Sequence, residues 1–236
     1  MADIDEENRP VPVRKDGCLC LEEGDLSIKG DYTQMLPRLK YNNLSGELLV
    51  KAVRRKKKEA SDETSGTSGL HILDATAGLG EDSLLLAAAG HSVTLYEYDP
   101  VIGALLEDTM LRASQDERLK DIMERMELRK ENSIEAMRQM ATDPEAERYD
   151  VILLDPMFPG RKKSGMIKKK FQLIQQLEKP CEEEAELFDA ALGMKPEKIV
   201  VKRPLKGPFL AGRTPGYSLT GKAIRVDVYV YPENMN

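Results

Sequence analysis

The chain is poor in the residues that build metal centres and disulfide frameworks. Its 236 residues include three cysteines, Cys18, Cys20 and Cys181, and two histidines, His71 and His91. An odd cysteine count with no Cys-x-x-Cys pair argues against both a disulfide scaffold and a zinc site, and a reducing cytoplasmic setting is expected. The histidines fall at the edges of predicted strands with no carboxylate or thiolate cluster beside them in sequence, so neither a metal ligand nor a catalytic histidine is expected. No apolar run approaches the ~20 residues that span a bilayer. The first residues, Met1 to Glu7, are acidic and lack an apolar stretch, which excludes a secretory signal there.

What the chain does have is 41% hydrophobic and 32% charged residues, enough for one sizeable α/β core with a small N-terminal addition. The expected organisation is an N-terminal extension over residues 1–58, a flexible Ser/Thr/Gly-rich loop over 59–69, and one domain over 70–236. The net charge of −6 alone speaks against a nucleic-acid partner, but the cations are clustered. They collect in Arg54–Lys58, in Arg161-Lys162-Lys163 and in Lys168-Lys169-Lys170, whereas acids collect at Asp3–Glu7 and Glu182–Glu184. Phosphate backbones respond to a local basic face rather than to the whole-chain sum, so the three runs keep RNA or DNA open as a partner.

In order, residues 1–16 read as a Pro- and charge-rich lead-in. Cys18 to Tyr32 reads as a β-hairpin, from the alternation of Leu19, Leu21, Leu26 and Ile28 with polar residues. A short amphipathic helix follows, with Ser45 as its N-cap. Strands and helices then alternate, the mark of a mostly parallel sheet. Strands are expected at His71–Thr76, Ser92–Tyr98, Met126–Arg129, Tyr149–Asp155 and Lys198–Arg203, with helices at about Asp82–Ala89, after Asp99-Pro100 and at Ile134–Met140. The helix after Pro100 carries Val101, Leu105, Leu106 and Leu111 on one face. Leu119–Met126 adds a further helical turn or two, and Met166–Leu177 and Glu183–Leu192 read as two more helices. Ser218-Leu219 and Ala223–Tyr231 form a closing antiparallel hairpin.

The first strand runs into Asp74-Ala75-Thr76-Ala77-Gly78-Leu79-Gly80-Glu81-Asp82. Gly78 and Gly80 can take backbone angles closed to other residues, and the carboxyl end of such a strand is where nucleotide-like ligands bind. A dinucleotide fingerprint needs a third glycine where this chain has Ser83. Glu81 and Asp82 would also repel a pyrophosphate. S-adenosylmethionine fits better, since it has no phosphate and carries a sulfonium and an amine. Glu97, near the end of the second strand, suits its ribose hydroxyls, and Asn132-Ser133, after the third, could pair with the adenine edge.

The fourth strand ends in Asp155-Pro156-Met157-Phe158. An exocyclic amine attacks a methyl group only when its lone pair is freed from the ring. A strand-end carboxylate and the next carbonyl, Asp155 and Pro156, can accept the amine's hydrogens and aim that lone pair, while Phe158 stacks on the base. Catalysis would then consist mainly of positioning and electrostatics. Taken singly, Asp-Pro also reads as a strand-stopping turn and Phe158 as a core residue.

The run Asp74–Asp82, then Asp155-Pro156-Met157-Phe158-Pro159, then Lys162-Lys163-Ser164, then Val200-Val201-Lys202-Arg203-Pro204 resembles the bacterial small-subunit ribosomal RNA guanine-N2 methyltransferase family, the J-type enzyme. The resemblance covers roughly residues 17–231. It implies a class I methyltransferase fold, a Rossmann-like seven-stranded, mostly parallel sheet with a C-terminal antiparallel hairpin. It also implies S-adenosylmethionine as donor and a guanine N2 amine in small-subunit (16S) ribosomal RNA as acceptor. Carried over by position, donor contacts fall on Glu81, Asp82, Glu97, Tyr98, Asn132, Ser133 and Asp155, and the reading of the turn itself adds Asp74, Gly78 and Gly80. Asp155, Pro156 and Phe158 would handle the acceptor, and Lys162, Lys163, Lys168, Lys169, Lys202 and Arg203 would contact RNA. The chain departs from the family pattern at Glu81, where members carry a basic residue, and at Tyr98, where they carry arginine. It also departs at Tyr41–Gly46, where they are glycine-rich. A cytoplasmic monomer acting on the small ribosomal subunit, without metal or membrane, is the expected setting. The competing expectations are a methyltransferase for another exocyclic amine, such as adenine N6 in RNA or DNA, and a non-catalytic RNA-binding protein that keeps the fold.

Overall fold

The computed structural model describes residues 11–23, 26–55, 69–156 and 184–231. Five parallel strands form its centre: β4 (His71–Asp74), β5 (Ser92–Tyr96), β6 (Met126–Arg129), β7 (Val151–Leu154) and β8 (Lys198–Pro204). The hairpin of β9 (Tyr217–Thr220) and β10 (Ile224–Val230) extends the sheet, giving the order β6-β5-β4-β7-β8-β10-β9. β10 runs antiparallel to both its neighbours, so β9 points the same way as the five. From β4 the chain steps outward to β5 and β6, then returns to the other side of β4 for β7 and β8. Strand order therefore reverses at β4, and the crevice beyond its carboxyl end is where such sheets bind ligands.

Both faces of the sheet are covered, which is why its strands read as continuous apolar runs. Side chains alternate between two cores. Ile72, Val93, Leu153, Val200, Val226 and Val228 lie in one with α3 (Leu48–Val53) and α4 (Glu81–Ala88). Leu73, Tyr96, Ile152, Leu154, Ile199, Val201 and Tyr229 lie in the other with α7 (Ser133–Thr142) and α8 (Glu184–Gly193). Each fully buried aliphatic contributes roughly 1.5–3 kcal/mol before the entropy of ordering is subtracted. α5 (Pro100–Ser114) starts at Asp99, whose side chain accepts from the amides of Val101 and Ile102, with Pro100 at the first helical position. α6 (Lys120–Met123) supplies the short helix expected before β6.

The chain differs from expectation in three places, two of them in its N-terminal part. Pro12–Lys15, inside the expected lead-in, is strand β1, paired antiparallel with β2 (Cys18–Glu23), which in turn pairs with β3 (Leu26–Ile28). Leu21 and Ile28 on this small sheet pack against Ile102 and Leu105 of α5. Asp108 on α5 pins the sheet by accepting from the Leu19 amide and pairing with Arg14 and Arg112. Ser45 ends a short helix, α2 (Tyr41–Leu44), which follows α1 (Leu36–Leu39); Glu47 precedes α3. Ser45 is therefore a C-cap rather than an N-cap. Leu111 is 59% exposed, because α5 turns only the face of Ile102, Leu105 and Leu106 inward. The expected helix at Met166–Leu177, the third cysteine and the loop at 59–69, apart from Gly69, lie outside the described residues.

Candidate functional site

The turn after β4 is built from its own polar side chains. Asp74 is 1% exposed and accepts from the Ser83 hydroxyl (2.6 Å) and the Thr76 amide (3.1 Å), which ties the strand end to the first turn of α4. Burial pushes its carboxyl up to about 7 against the pull of those two bonds. Gly78 and Gly80 both take left-handed angles, with φ of 54° and 73°. At Gly80 the requirement is doubled, because an added Cβ would run into the Tyr32 hydroxyl and the Leu106 side chain. Glycine at 80 thus serves packing against Tyr32 and Leu106. Tyr32 itself donates to the Leu79 carbonyl (3.1 Å), so the segment before α1 holds the turn from outside.

Glu97 follows β5 and is 8% exposed. One carboxylate oxygen accepts from the Gly78 amide (3.0 Å), the other from the Asp99 amide (2.8 Å). The side chain therefore joins the glycine turn to the start of α5, and each oxygen keeps a further lone pair for a hydroxyl donor. Burial raises its carboxyl to about 7, outweighing those two amides. Asn132, after β6, caps α7 by accepting from the amides of Ile134 (2.9 Å) and Glu135 (3.3 Å), and Ser133 is the first residue of that helix. Tyr98 is 65% exposed, and Glu81 is exposed on the first turn of α4.

The acceptor motif meets the turn directly. The Asp155 amide donates to the Thr76 hydroxyl (2.6 Å), linking the ends of β7 and β4. Lys202 on β8 places its ammonium between two carboxylates, 2.5 Å from Asp82 Oδ2 and 2.9 Å from Asp155 Oδ2. Burial pushes the Asp155 carboxyl up; Lys202 pulls it down and Asp82 pushes it up again. For Lys202, burial alone would lower the ammonium's pKa, but the two acids outweigh it and raise it above the usual lysine range. Two of the expected RNA contacts, Lys202 and Arg203, sit on β8 beside this motif. Lys202 is turned into the site by its two acids. Arg203 has no exposed side-chain surface and pairs with Glu184 (2.9 Å) while donating to the Pro208 carbonyl (3.1 Å). Phe158, Lys162, Lys163, Lys168 and Lys169 lie outside the described residues.

Asp74, Glu97, Asn132, Asp155 and Lys202 thus sit at or near the carboxyl ends of five successive parallel strands. The sequence did not single out Thr76, Ser83 or Tyr32 as parts of this end of the sheet. Ser83 and Thr76 are legible only once Asp74 and Asp155 are known to face them, and Tyr32 lies 47 residues from its partner. A shallow cleft of about 250 Å³ lies at the opposite end, lined by His71, Ser92, Met126 and Tyr149 among others, and holds none of these residues. His91 is satisfied structurally, its Nδ1 accepting from the Leu70 amide (3.1 Å). Among the described residues no group of three or more His, Cys, Asp and Glu is placed to hold a metal ion, and no helix is long and apolar enough to cross a membrane.

The site is acidic, with Asp74, Asp82, Glu97 and Asp155 around one turn. That chemistry fits a ligand carrying a sulfonium and an amine, and it opposes a pyrophosphate. Comparison with known proteins agrees. A family model described as "Putative SAM-dependent methyltransferase" matches residues 21–231. A protein of Marinobacter nauticus named ribosomal RNA small subunit methyltransferase J is 41% identical over 192 residues, covering 81% of this chain and 65% of that protein. A protein of the same name from Pseudomonas aeruginosa is 39% identical, covering 97% of this chain and 85% of its own length. The crystal structure of a SAM-dependent methyltransferase from Neisseria gonorrhoeae superposes with a TM-score of 0.72 at 29% identity, covering 94% of this chain and 83% of that one.

Proposed function

Because the chain belongs to the family of SAM-dependent methyltransferases named ribosomal RNA small subunit methyltransferase J, we propose that it transfers a methyl group to the N2 amine of a guanosine in small-subunit (16S) ribosomal RNA. S-adenosylmethionine is the donor and supplies, when bound, a methyl group made electrophilic by the positive sulfur. The remaining work falls to the chain's own groups. Asp82, Glu97 and the backbone of the 78–80 turn hold the donor, with Glu97 offering its free lone pairs to ribose hydroxyls. Asn132 and Ser133 face the adenine, and Glu81 and Tyr98 contribute through backbone. Asp155 and the Pro156 carbonyl accept the two hydrogens of the acceptor amine, which localises the nitrogen lone pair and directs it at the methyl. Phe158 stacks on the guanine, and Lys162, Lys163, Lys168 and Lys169 meet the RNA backbone.

One observation carries this reading. The Asp155 amide is fastened to Thr76 and its carboxylate to Lys202, so the acceptor motif is fixed against the donor turn rather than standing alone at a strand end. A preorganised acceptor for amine hydrogens beside a cation-accepting turn is what amine methylation requires. A guanosine that is paired in the subunit must leave its stack to reach this end of the sheet.

The test compares incorporation of labelled methyl from S-adenosylmethionine into isolated 16S RNA, assembled small subunits and duplex DNA. The reading expects label in one or both ribosomal acceptors and none in DNA. DNA as sole acceptor would overturn it, and no donor binding well above millimolar would favour a non-catalytic RNA-binding protein.

A further inference from the structure

On that reading of the function, we propose that Lys202 is a positioning residue of the methyl-accepting centre: its ammonium immobilises one oxygen of Asp155 and, through Asp82, locks the acceptor motif to the donor turn. The sheet register sets this up. Leu154 pairs with Val201 across the parallel β7–β8 ladder, so Asp155 and Lys202 come next on their strands, side by side. Val200 and Val201 precede Lys202 in the core and Arg203 after it is enclosed, so β8 delivers a lysine into surroundings where only a quarter of its side chain meets solvent. Among the described residues, the ion pairs of Asp82 and of Asp155 are both with this one lysine.

The chemistry gives that contact a consequence. Ionised, Asp155 is the stronger acceptor for a hydrogen of the substrate amine, because both oxygens accept and the hydrogen bond is charge-assisted. Its surroundings divide on this point. Asp82 on α4 and Asp74 at the end of β4 are acids that oppose a second negative charge, and burial opposes it too. Lys202 and, at longer range, Arg203, both on β8, favour it. With Lys202 holding Oδ2, Oδ1 is the oxygen left to face the acceptor. Without Lys202, Asp155 would take up a proton at a higher pH and, with one oxygen protonated, would be the weaker acceptor.

The test uses the full chain with Lys202→Met and Lys202→Arg. In single-turnover transfer at neutral pH, Lys202→Met should slow the chemical step by about 100-fold, the loss that follows misplacement of a reacting group. The acidic limb of its pH–rate profile should move up by about one unit, so that part of the loss is recovered in alkali. Lys202→Arg, which keeps the charge, should recover most of the rate. Calorimetry should find donor affinity unchanged or improved in Lys202→Met, since the donor is itself a cation entering a more acidic site; a merely structural role would weaken both binding and transfer. Carbon-13 titration of the Asp155 carboxyl, assigned with Asp155→Asn, provides a readout that needs no turnover. Its midpoint should rise in Lys202→Met and fall in Asp82→Asn, the second variant serving if the first does not fold. An unmoved midpoint, or a parallel loss of binding and rate with an unshifted pH profile, would overturn the proposal. If the wild-type chain methylates no ribosomal acceptor, the functional reading fails while the titration still decides the role of Lys202.

Discussion

Replacing Gly80 with alanine measures how tightly the donor turn is held. Gly80 sits at φ 73°, where a non-glycine residue costs roughly 1–2 kcal/mol. Its new methyl would meet the Tyr32 hydroxyl and Leu106 in a filled core, and overpacking of that kind costs about 1–3 kcal/mol. Gly80→Ala should therefore lose about 2–5 kcal/mol in urea unfolding, read as a lower midpoint at constant slope. Tyr32→Phe alone should cost about 0.5–1.5 kcal/mol, the worth of the bond to the Leu79 carbonyl. Because phenylalanine lacks the atom the new methyl strikes, Gly80→Ala should cost about 1 kcal/mol less in the Tyr32→Phe background, a coupling that a double-mutant cycle reads directly. Donor affinity should fall with Gly80→Ala and recover partly in the double variant. A cost below about 0.5 kcal/mol would refute the conformational argument. An equal cost in both backgrounds would refute the contact with Tyr32.

Glu97, buried and held near 7 against an ordinary value of 4.5, binds a proton more tightly folded than unfolded, so its contribution to stability is full below about 4.5 and is lost as pH rises towards about 7. Glu97→Gln should flatten stability across that window by on the order of 2 kcal/mol, and should also remove a rise of donor affinity with pH between 6 and 8, both by calorimetry at stepped pH. Arg203→Met should lower stability by roughly 3 kcal/mol, since Glu184 loses its buried partner, yet leave the salt dependence of RNA binding unchanged; a shallower salt slope would return Arg203 to the RNA interface. Lys162→Ala with Lys163→Ala should leave the unfolding midpoint alone, weaken RNA binding and reduce the slope of log K against log salt by about 1.5–2.

The strand and helix order was legible because the signals there are local. Asp99-Pro100 announces a capped helix, Gly90 ends one at φ 95°, and the unbroken apolar run of β7 announces a strand covered on both faces. Pro12–Lys15 was not legible as a strand, since its exposed residues carry no apolar alternation and it exists by pairing with β2. Asp155 could be picked out from its motif, but what holds it could not. Thr76 and Lys202 reach it from other strands, and only the register of β4, β7 and β8 brings them together. The partners of Lys202-Arg203 were hidden for a related reason. In an exposed strand, alternation would turn one of the pair outward, but in a strand buried on both faces a cation is placed by its acid partners. Asn132, expected to face the adenine edge, also caps α7.

The most direct test of the central claim is nucleoside analysis of small subunits, taken from a strain lacking this gene and incubated with the purified chain and labelled S-adenosylmethionine. The account predicts N2-methylguanosine at a single site with the wild-type chain, and none with Asp155→Ala, which still unfolds cooperatively. Label in N6-methyladenosine, or full turnover by Asp155→Ala, would contradict it.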